Sequence, residues 1–361
     1  MAMDMSRYVL PFEECDLSMV NRVGGKCASL GELLKARIPV PPGFAVTTET
    51  YDRFLDENGL TKRISERISG IDANDVDEVD AASADIRAWI EAGTISEPLE
   101  DMIAENYRLL SRRARMPGIP VAVRSSATAE DLPDASFAGQ QETFLWVRGV
   151  DDLLARCKKC WSSLFTPRAI AYRGRMGFDH AQVKLSVAVQ KMVRSFTAGV
   201  MFTINPATGD PATIVIDSNW GYGESVVSGE VTPDQFHVNK ITMEVTKRTV
   251  SDKAIYYTTD PETDEVMKLE VDPERRTAQS LLEPEITGLA ELAKRIENHY
   301  GKPMDIEWAT EKSLPYRGEI YILQSRPETV WSQKKREPIE QPKSSAVEYI
   351  MAGLMKGKKV G

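Results

Sequence analysis

The chain has 361 residues, of which 42% are hydrophobic and 27% charged, and its formal net charge is −9. These proportions are typical of a globular protein, and the length predicts two or three subdomains. The negative charge argues against a general nucleic-acid binder or a binder of anionic membranes. No run approaches the roughly 20 apolar residues of a membrane span, and the start of the chain lacks an apolar signal core. We therefore expect a cytoplasmic location, with neither nucleic acid nor membrane as a partner.

Four cysteines in this length do not form a disulfide framework, which also favours a reducing compartment. Cys157 and Cys160 have the CxxC spacing found in many zinc and redox sites. They fall inside a helical pattern, and no second pair complements them. We predict a half-buried helix face there rather than a zinc or redox centre.

The first motif is a diglycine followed by a lysine, Gly24-Gly25-Lys26, which precedes an apolar helical pattern. A lysine at a helix start, beside free backbone N–H groups, suits a phosphate. The motif is not a Walker A loop, because that loop needs glycine where Val20 stands and Ser or Thr where Cys27 stands. On its own, Lys26 is a weak signal for a phosphate site.

The central stretch, residues 121–147, predicts two strands joined by a polar connection rich in small residues. The first strand ends at Arg124, the connection contains Gly139, and the second strand begins at Thr143. A glycine lets backbone N–H groups approach an anion, and a fixed arginine supplies a cation. This pattern fits a polyphosphate site, and a surface hairpin with a solvated arginine fits it equally well.

Residues 184–193 predict a strand that could lie along a purine. Backbone groups around Gln190 would then read the edge of the base, and Met192 would pack on its ring. A plain half-buried strand explains the same local pattern and is the more economical interpretation.

Much of the remaining chain predicts supporting structure. Helical patterns with acidic connections fill residues 50–115, and further helices fill 151–175. Two apolar strands lead into a glycine-rich strand-to-helix transition at 221–230, a kind of segment that is often close to a substrate. Residues 240–285 contain strand-like and charged segments that indicate no function.

Two later strands carry the strongest chemical signal. Asp305 and Glu307 share one face of the first strand, and Gln324 and Arg326 share one face of the second. If the strands pair as a hairpin, two carboxylates, an amide and a guanidinium converge on one surface. Carboxylate and amide oxygens suit Mg²⁺, and arginine suits the phosphate that the metal also touches. A solvated charged face is the alternative, but the apolar residues on the opposite faces favour a half-buried sheet and hence a site.

These motifs belong to a series that keeps one order over about residues 20–330. The series is Gly24-Gly25-Lys26, Val123-Arg124-Ser125-Ser126, Phe137-Ala138-Gly139-Gln140-Gln141-Glu142-Thr143, Gly199-Val200-Met201-Phe202-Thr203, Trp220-Gly221-Tyr222-Gly223-Glu224-Ser225-Val226-Val227-Ser228-Gly229, Asp305-Ile306-Glu307-Trp308 and Gln324-Ser325-Arg326-Pro327. Together they resemble the nucleotide-binding N-terminal region of the phosphoenolpyruvate synthase and pyruvate phosphate dikinase family, which includes rifampicin phosphotransferase.

The resemblance implies an α+β chain with the ATP-grasp fold, in which two lobes hold ATP between them. We expect one lobe over residues 1–195, a second over 196–330, and a linker or docking tail over 331–361. The resemblance also implies a role for each candidate residue: phosphate contacts (Lys26, Arg124), a phosphate-covering hairpin (Gly139, Thr143), the adenine strand (Gln190, Met192), Mg²⁺ ligands (Glu307, Gln324, Asp305) and stabilisation of the transferring phosphoryl group (Arg326).

Full-length members of the family continue into a swivelling domain with a phosphorylatable histidine and a barrel that binds the acceptor. Since His180, His237 and His299 lack the expected sequence context, we expect all three to be structural. The resemblance then implies the Mg-ATP-binding subunit of a split dikinase, as in phenylphosphate synthase. Such a subunit passes the β-phosphoryl group of ATP to a histidine on a separate subunit and leaves AMP and phosphate. The final acceptor would be a small hydroxyl compound such as phenol or pyruvate.

Three alternatives stay open. A stand-alone ATP-grasp kinase or ligase would form ADP without a protein partner. A non-catalytic ATP-binding regulatory subunit would need nucleotide binding but not the complete charge-neutralising set of residues. An excised N-terminal piece of a larger synthase is the last alternative, which the sequence does not exclude.

Overall fold

The structure is a computed structural model that describes residues 7–128, 131–132, 135–136, 142–177, 183–260, 263, 265–312 and 317–331. Contacts divide the chain into two units, Met1–Glu328 and Thr329–Gly361. Apart from Trp331, the expected tail lies outside the described residues. The predicted division into lobes at residue 195 stays a prediction.

Helices and strands alternate irregularly along the chain. The helices are α1 (Val20–Lys35), α2 (Thr48–Glu57), α3 (Leu60–Ile68), α4 (Val76–Ala92), α5 (Glu97–Arg113), α6 (Val150–Ser162), α7 (Pro167–Met176), α8 (Glu224–Val227), α9 (Pro273–Arg276) and α10 (Glu283–Tyr300). The strands are β1 (Val9–Pro11), β2 (Gly43–Val46), β3 (Val121–Ala127), β4 (Asp131–Leu132), β5 (Ala135–Ser136), β6 (Thr143–Val147), β7 (Leu185–Lys191), β8 (Ser195–Phe202), β9 (Thr213–Trp220), β10 (Asp234–Asn239), β11 (Val245–Thr249), β12 (Ile255–Thr259), β13 (Val266–Glu270), β14 (Met304–Lys312) and β15 (Arg317–Pro327). This mixture of helix and antiparallel sheet agrees with the predicted α+β class.

The first sheet has the strand order β1-β2-β7-β3-β6. Because side chains alternate along each strand, β-branched residues such as Val123 and its partner Val189 lie on one face. That face packs against the helical segments of 50–115 and 150–176 in one hydrophobic core. The opposite face carries small residues, for example Ala45 opposite Ala188, which leave room for another element to approach.

Helix α1 packs on that small-residue face and also contacts the second sheet. Leu30 of this helix belongs to the same buried apolar cluster as Ala188 of β7 and Ile306 of β14. The Ser29 hydroxyl donates a hydrogen bond of 2.7 Å to the backbone oxygen of Ser325 in β15. Helix α1 therefore fixes the two sheets relative to each other.

The second sheet has the order β11-β10-β9-β8-β14-β15. Apolar residues in register, such as Ile306, Met201 and Ile216, line one face. That face packs against the apolar side of α10, which ends at Gly301 in a left-handed conformation with φ 65°. A glycine suits this position, because the left-handed conformation that ends a helix costs glycine little.

Residues 240–285, for which the sequence indicated no function, form β11, β12, β13 and α9. A fully buried ion pair supports this region: Lys253 Nζ donates to Asp234 Oδ1 over 2.7 Å. The backbone N–H of Ser280 donates to the other oxygen, Asp234 Oδ2, also over 2.7 Å. The carboxylate is thus fully hydrogen-bonded, as a buried charge requires.

The CxxC pair lies on the buried face of α6, and Cys157 and Cys160 have no exposed surface. The predicted helix face is confirmed, and both cysteines on it are free thiols. None of the helices in the described part of the chain combines the length and the apolar composition that a bilayer crossing needs.

Candidate functional site

A cavity of about 320 Å³ lies between the two sheets. This volume falls in the usual range of small-molecule pockets, about 300–1,000 Å³. Asp305 is not among its lining residues, and Gly139 lies outside the described residues. The other candidates from the sequence all line it: Lys26, Arg124, Thr143, Gln190, Met192, Glu307, Gln324 and Arg326.

Arg124 reaches the cavity from the middle of β3. The sequence predicted that the strand ends at this residue, and that expectation is wrong. β3 continues to Ala127 because β7 pairs with it along its whole length, from Val121 opposite Lys191 to Ala127 opposite Leu185. Backbone pairing on both sides therefore fixes the Cα of Arg124, which lies opposite Thr143 on one neighbour.

Glu307 and Gln324 face each other directly across the β14–β15 pair. Arg124 Nη2 donates to Glu307 Oε2 over 2.8 Å and to Gln324 Oε1 over 2.7 Å. The side chain of Arg124 is 11% exposed and that of Glu307 is 29% exposed. A charge-assisted contact between sheets thus closes one end of the cavity.

A bulge next to this pair provides a third partner for the guanidinium. The register shifts between Glu307 and Trp308, so that Trp308 pairs with Ile322 and Leu323 is the extra residue. The backbone oxygen of Leu323 accepts a hydrogen bond from Arg124 Nη1 over 3.1 Å. Bulges commonly redirect groups beside functional sites, and this one turns a backbone carbonyl toward the cavity.

Asp305 and Arg326 are also directly opposed on β14 and β15. Arg326 Nε lies 3.5 Å from Asp305 Oδ2, and the arginine side chain is half exposed. Burial raises the pKa of Asp305 to about 6, against the lowering effect of the Arg326 guanidinium. Asp305 Oδ1 is buried without a hydrogen-bond partner in the described part of the chain.

Lys26 lies just after an interruption in α1. Gly24 has φ 71° and ψ 168°, so the helical hydrogen bonding starts again after it. A Cβ on Gly24 would lie 2.1 Å from the backbone oxygen of Ser126, a distance that no side chain tolerates. Lys26 is only 5% exposed and lies in the first turn of the resumed helix, the end of a helix that attracts anions. The N–H of Cys27 in this turn donates to Ser126 Oγ over 3.3 Å.

The other end of the cavity is mainly apolar. A buried apolar cluster there contains Ala122, Trp146, Met192 and Tyr222. The ring centroids of Trp146 and Tyr222 are 6.1 Å apart. Gln190 lies opposite Ala122 on the neighbouring strand β7 and is 3% exposed. Its Nε2 atom has no hydrogen-bond partner in the described part of the chain.

Sequence reasoning missed several residues of this cavity. Tyr222 and Glu224 line it from the glycine-rich transition, to which the sequence assigned no individual role. Trp146 stands beside the cavity with φ 61°, a strained conformation for a bulky residue that no sequence pattern predicts. The carbonyl of Leu323 also has no sequence signal, because a bulge depends on how two strands pair.

The donor set fits a hard divalent cation that is shared with a substrate. Glu307 Oε2 and Gln324 Oε1 both approach one cationic nitrogen, so their oxygens already converge on a point of positive charge. Among the described residues, no group of three or more His, Cys, Asp or Glu side chains could hold a metal. Mg²⁺ typically takes one or two carboxylates and completes its shell with water and substrate phosphates, so a full protein cage is not required.

Comparison with known proteins shows which family the chain resembles. Residues 20–346 match the family described as "Pyruvate phosphate dikinase, AMP/ATP-binding domain". The chain is 45% identical over 350 residues to a probable phosphoenolpyruvate synthase of Methanothermobacter thermautotrophicus, an alignment that covers 97% of this chain and 49% of that protein. It is 43% identical over 365 residues to a phosphoenolpyruvate synthase of Aeropyrum pernix, covering 93% of this chain and 44% of that protein.

A bacterial relative has the same relationship to this chain. The phosphoenolpyruvate synthase of Helicobacter pylori is 42% identical over 384 residues, which cover 98% of this chain and 47% of that protein. The chain thus spans about half the length of these curated relatives. The family match covers most of the chain and includes every candidate residue of the cavity. The chain belongs to the family of pyruvate phosphate dikinase AMP/ATP-binding domains.

Proposed function

We propose that the cavity binds Mg-ATP and that this chain carries out the nucleotide step of a dikinase-type phosphotransferase. Membership of an AMP/ATP-binding family supports ATP as the ligand. The observation that carries the proposal is the junction of Arg124 with Glu307 and Gln324 at one end of a cavity that Lys26 and Arg326 also line. Cations and oxygen ligands in one partly buried place are what a metal-bound polyphosphate requires.

The three basic side chains would bind and orient the phosphates. Phosphoryl transfer depends mainly on positioning and on neutralising the charge that spreads over the transferring group. Lys26 offers a point charge at the start of a helical turn, and Arg124 offers a planar fork. Arg326 is half exposed at the cavity, a suitable place to stabilise a group that moves between ATP and an acceptor.

The apolar end of the cavity would bind the base. Met192 supplies an apolar surface for a purine ring, together with the neighbouring aromatic cluster. The buried Gln190 Nε2 gains a hydrogen-bond acceptor when a purine nitrogen or oxygen lies beside it, which removes the cost of an unsatisfied donor. Thr143 and the predicted hairpin at Gly139 would cover the phosphates from β6.

Glu307 and Gln324 would hold the metal ion, with Asp305 as an additional ligand. When bound, Mg²⁺ would neutralise the charge that develops on the phosphate oxygens. Asp305 has an unpartnered oxygen among the described residues, which supports a role toward a cation.

The phosphoryl group would then pass to a histidine of another module. The histidine attacks the β-phosphorus and the bond to AMP breaks, while water takes the γ-phosphoryl group as phosphate. The relatives are named phosphoenolpyruvate synthase and are about twice as long as this chain, which supports a histidine-bearing module joined in one polypeptide and pyruvate as the final acceptor. A separate histidine-bearing subunit with phenol as acceptor is the other arrangement that this nucleotide step would serve.

The test is to separate the nucleotides by chromatography after incubating the chain with Mg-ATP. The chain is used alone, with the histidine-bearing module, and with that module plus pyruvate or phenol. We expect AMP and phosphate only when the module is present, and turnover only with the correct acceptor. Formation of ADP by the chain alone would contradict this proposal and favour a direct kinase.

A further inference from the structure

The guanidinium of Arg124 occupies the point at which the two main candidate metal ligands meet. Its Nη2 atom lies 2.8 Å from Glu307 Oε2 and 2.7 Å from Gln324 Oε1. The second nitrogen, Nη1, is held 3.1 Å from the backbone oxygen of Leu323. Arg124 thus makes three contacts to the β14–β15 pair, and they cross from one sheet to the other.

A divalent cation and this guanidinium cannot share that point. Mg²⁺ binds oxygens at about 2.0–2.1 Å, well inside the present distance from either oxygen to the nitrogen. Two cationic groups this close repel each other strongly in a partly buried place. The carboxylate of Glu307 can therefore serve the guanidinium or a metal ion, but not both in the present geometry.

We propose that Arg124 acts as a placeholder cation, which blocks the Glu307–Gln324 pair until a polyphosphate draws its guanidinium away. This inference rests on the proposed nucleotide site and specifies how that site is loaded. Arg124 Nε is buried without a hydrogen-bond partner in the described part of the chain, so the guanidinium has a donor left for a phosphate oxygen. Nucleotide and metal then bind cooperatively, and by linkage each raises the affinity of the other by the same factor.

The proposal predicts a difference in metal affinity between the wild type and an Arg124 variant when no nucleotide is present. Free Mn²⁺ is measured by electron paramagnetic resonance during titration of the wild-type chain and the Arg124→Met variant. The variant should bind Mn²⁺ at least about threefold more tightly, because the competing cation has been removed from the pair. Adding Glu307→Gln to that variant should abolish the gain.

Two further variants separate competition from a general charge effect. Lys191 lines the same cavity, but its Nζ lies 3.7 Å from Glu311 Oε1 and not between Glu307 and Gln324. Lys191→Met should therefore change the Mn²⁺ affinity less than Arg124→Met does. Arg124→Lys keeps the charge but loses the second nitrogen that is held by the Leu323 carbonyl, and it should give an intermediate affinity. The lysine variant also keeps the test decisive if the methionine variant does not fold.

Equal Mn²⁺ affinity of the wild type and of every Arg124 variant that folds would overturn the placeholder. An equal gain from Lys191→Met would overturn it as well, in favour of simple charge repulsion. Failure of the proposed function would be seen in a different experiment, because calorimetry would then detect no binding of Mg-ATP to the wild-type chain. That outcome leaves the nucleotide-free Mn²⁺ comparison interpretable.

Discussion

Glu307 and Gln324 lie directly opposite each other on β14 and β15, and one nitrogen of Arg124 bridges their side-chain oxygens. The carboxylate and the amide come from paired strands of one sheet, whereas the arginine comes from the other sheet. The site thus depends on how the two sheets face each other, and helix α1 fixes that relationship by packing on both.

Replacing Arg326 should separate binding from phosphoryl transfer. If Arg326 stabilises charge on the transferring group, Arg326→Ala lowers the rate of AMP formation with the histidine-bearing module by a factor of about 100 or more, with a smaller loss of ATP affinity. Rates from chromatography and affinities from calorimetry measure the two effects. The control is Arg276→Ala, which removes an exposed arginine paired with Asp252 and should leave both unchanged. A loss of affinity equal to the loss of rate would contradict the assigned role.

Gly24 should tolerate no side chain. Gly24→Ala places a Cβ only 2.1 Å from the backbone oxygen of Ser126. It also strains the backbone, because φ is 71° at this position. Gly149 has a similar backbone, with φ 80° and ψ 160°, but open space around its Cβ position, so Gly149→Ala measures the backbone strain alone. We expect a markedly lower melting temperature for the Gly24 variant, together with weaker ATP binding because Lys26 shifts. Equal melting temperatures of the two variants would show that the contact with Ser126 relaxes easily.

Gln190 should affect nucleotide binding more than stability. Gln190→Met removes a buried donor that has no partner among the described residues, so the folded state loses no hydrogen bond from Nε2. We expect a nearly unchanged melting temperature and roughly tenfold weaker ATP binding by calorimetry, the usual cost of leaving a ligand group unpaired. Gln235→Met is the matched control, because Gln235 Nε2 donates to Asp217 Oδ1 over 3.0 Å and lies outside the cavity. The control should lose stability and keep its ATP affinity.

The Lys253–Asp234 pair should be essential for the stability of the β10–β13 region. Both side chains are fully buried, so Lys253→Met leaves an uncompensated carboxylate and should cost about 3–5 kcal/mol in the free energy of unfolding. Urea denaturation followed by tryptophan fluorescence measures it. Lys268→Met is the control, since Lys268 pairs with Glu230 on the surface and its loss should have little effect. A small effect of both variants would mean that Ser280 and its neighbours satisfy Asp234 without the lysine.

The CxxC thiols should be unreactive in the folded chain. Burial raises the pKa of Cys157 to about 12, and burial also raises the pKa of Cys160 well above its ordinary value. Because the thiolate is the reactive form, raising the pH from 7 to about 9 should not release either thiol to a disulfide reagent before unfolding. Titration with such a reagent, with and without denaturant, checks this. Rapid native reaction of both cysteines would reopen the interpretation of the pair as a redox site.

The sequence predicted which strands carry the candidate residues more accurately than it predicted where those strands end. Alternation along 304–308 and 320–327 predicted which side chains share a face, and the register of β14 and β15 pairs them accordingly, since strand periodicity is a local property. The strand ending at Arg124 was placed too short, because β7 extends β3 through pairing that the local pattern does not contain. The family itself followed from the order of several short motifs, which needs no three-dimensional information.

Only the tertiary structure brought Lys26, Arg124 and Glu307 to one cavity, since they are separated by about 100 residues or more in the chain. The Leu323 bulge and the strained backbone of Trp146 arise from packing between strands, so no local pattern specifies them. Residue types suited to a metal and a polyphosphate are recognisable from the order of amino acids alone. The structure decided that Arg124 contacts the two oxygens proposed for the metal, because that contact joins strands of two different sheets.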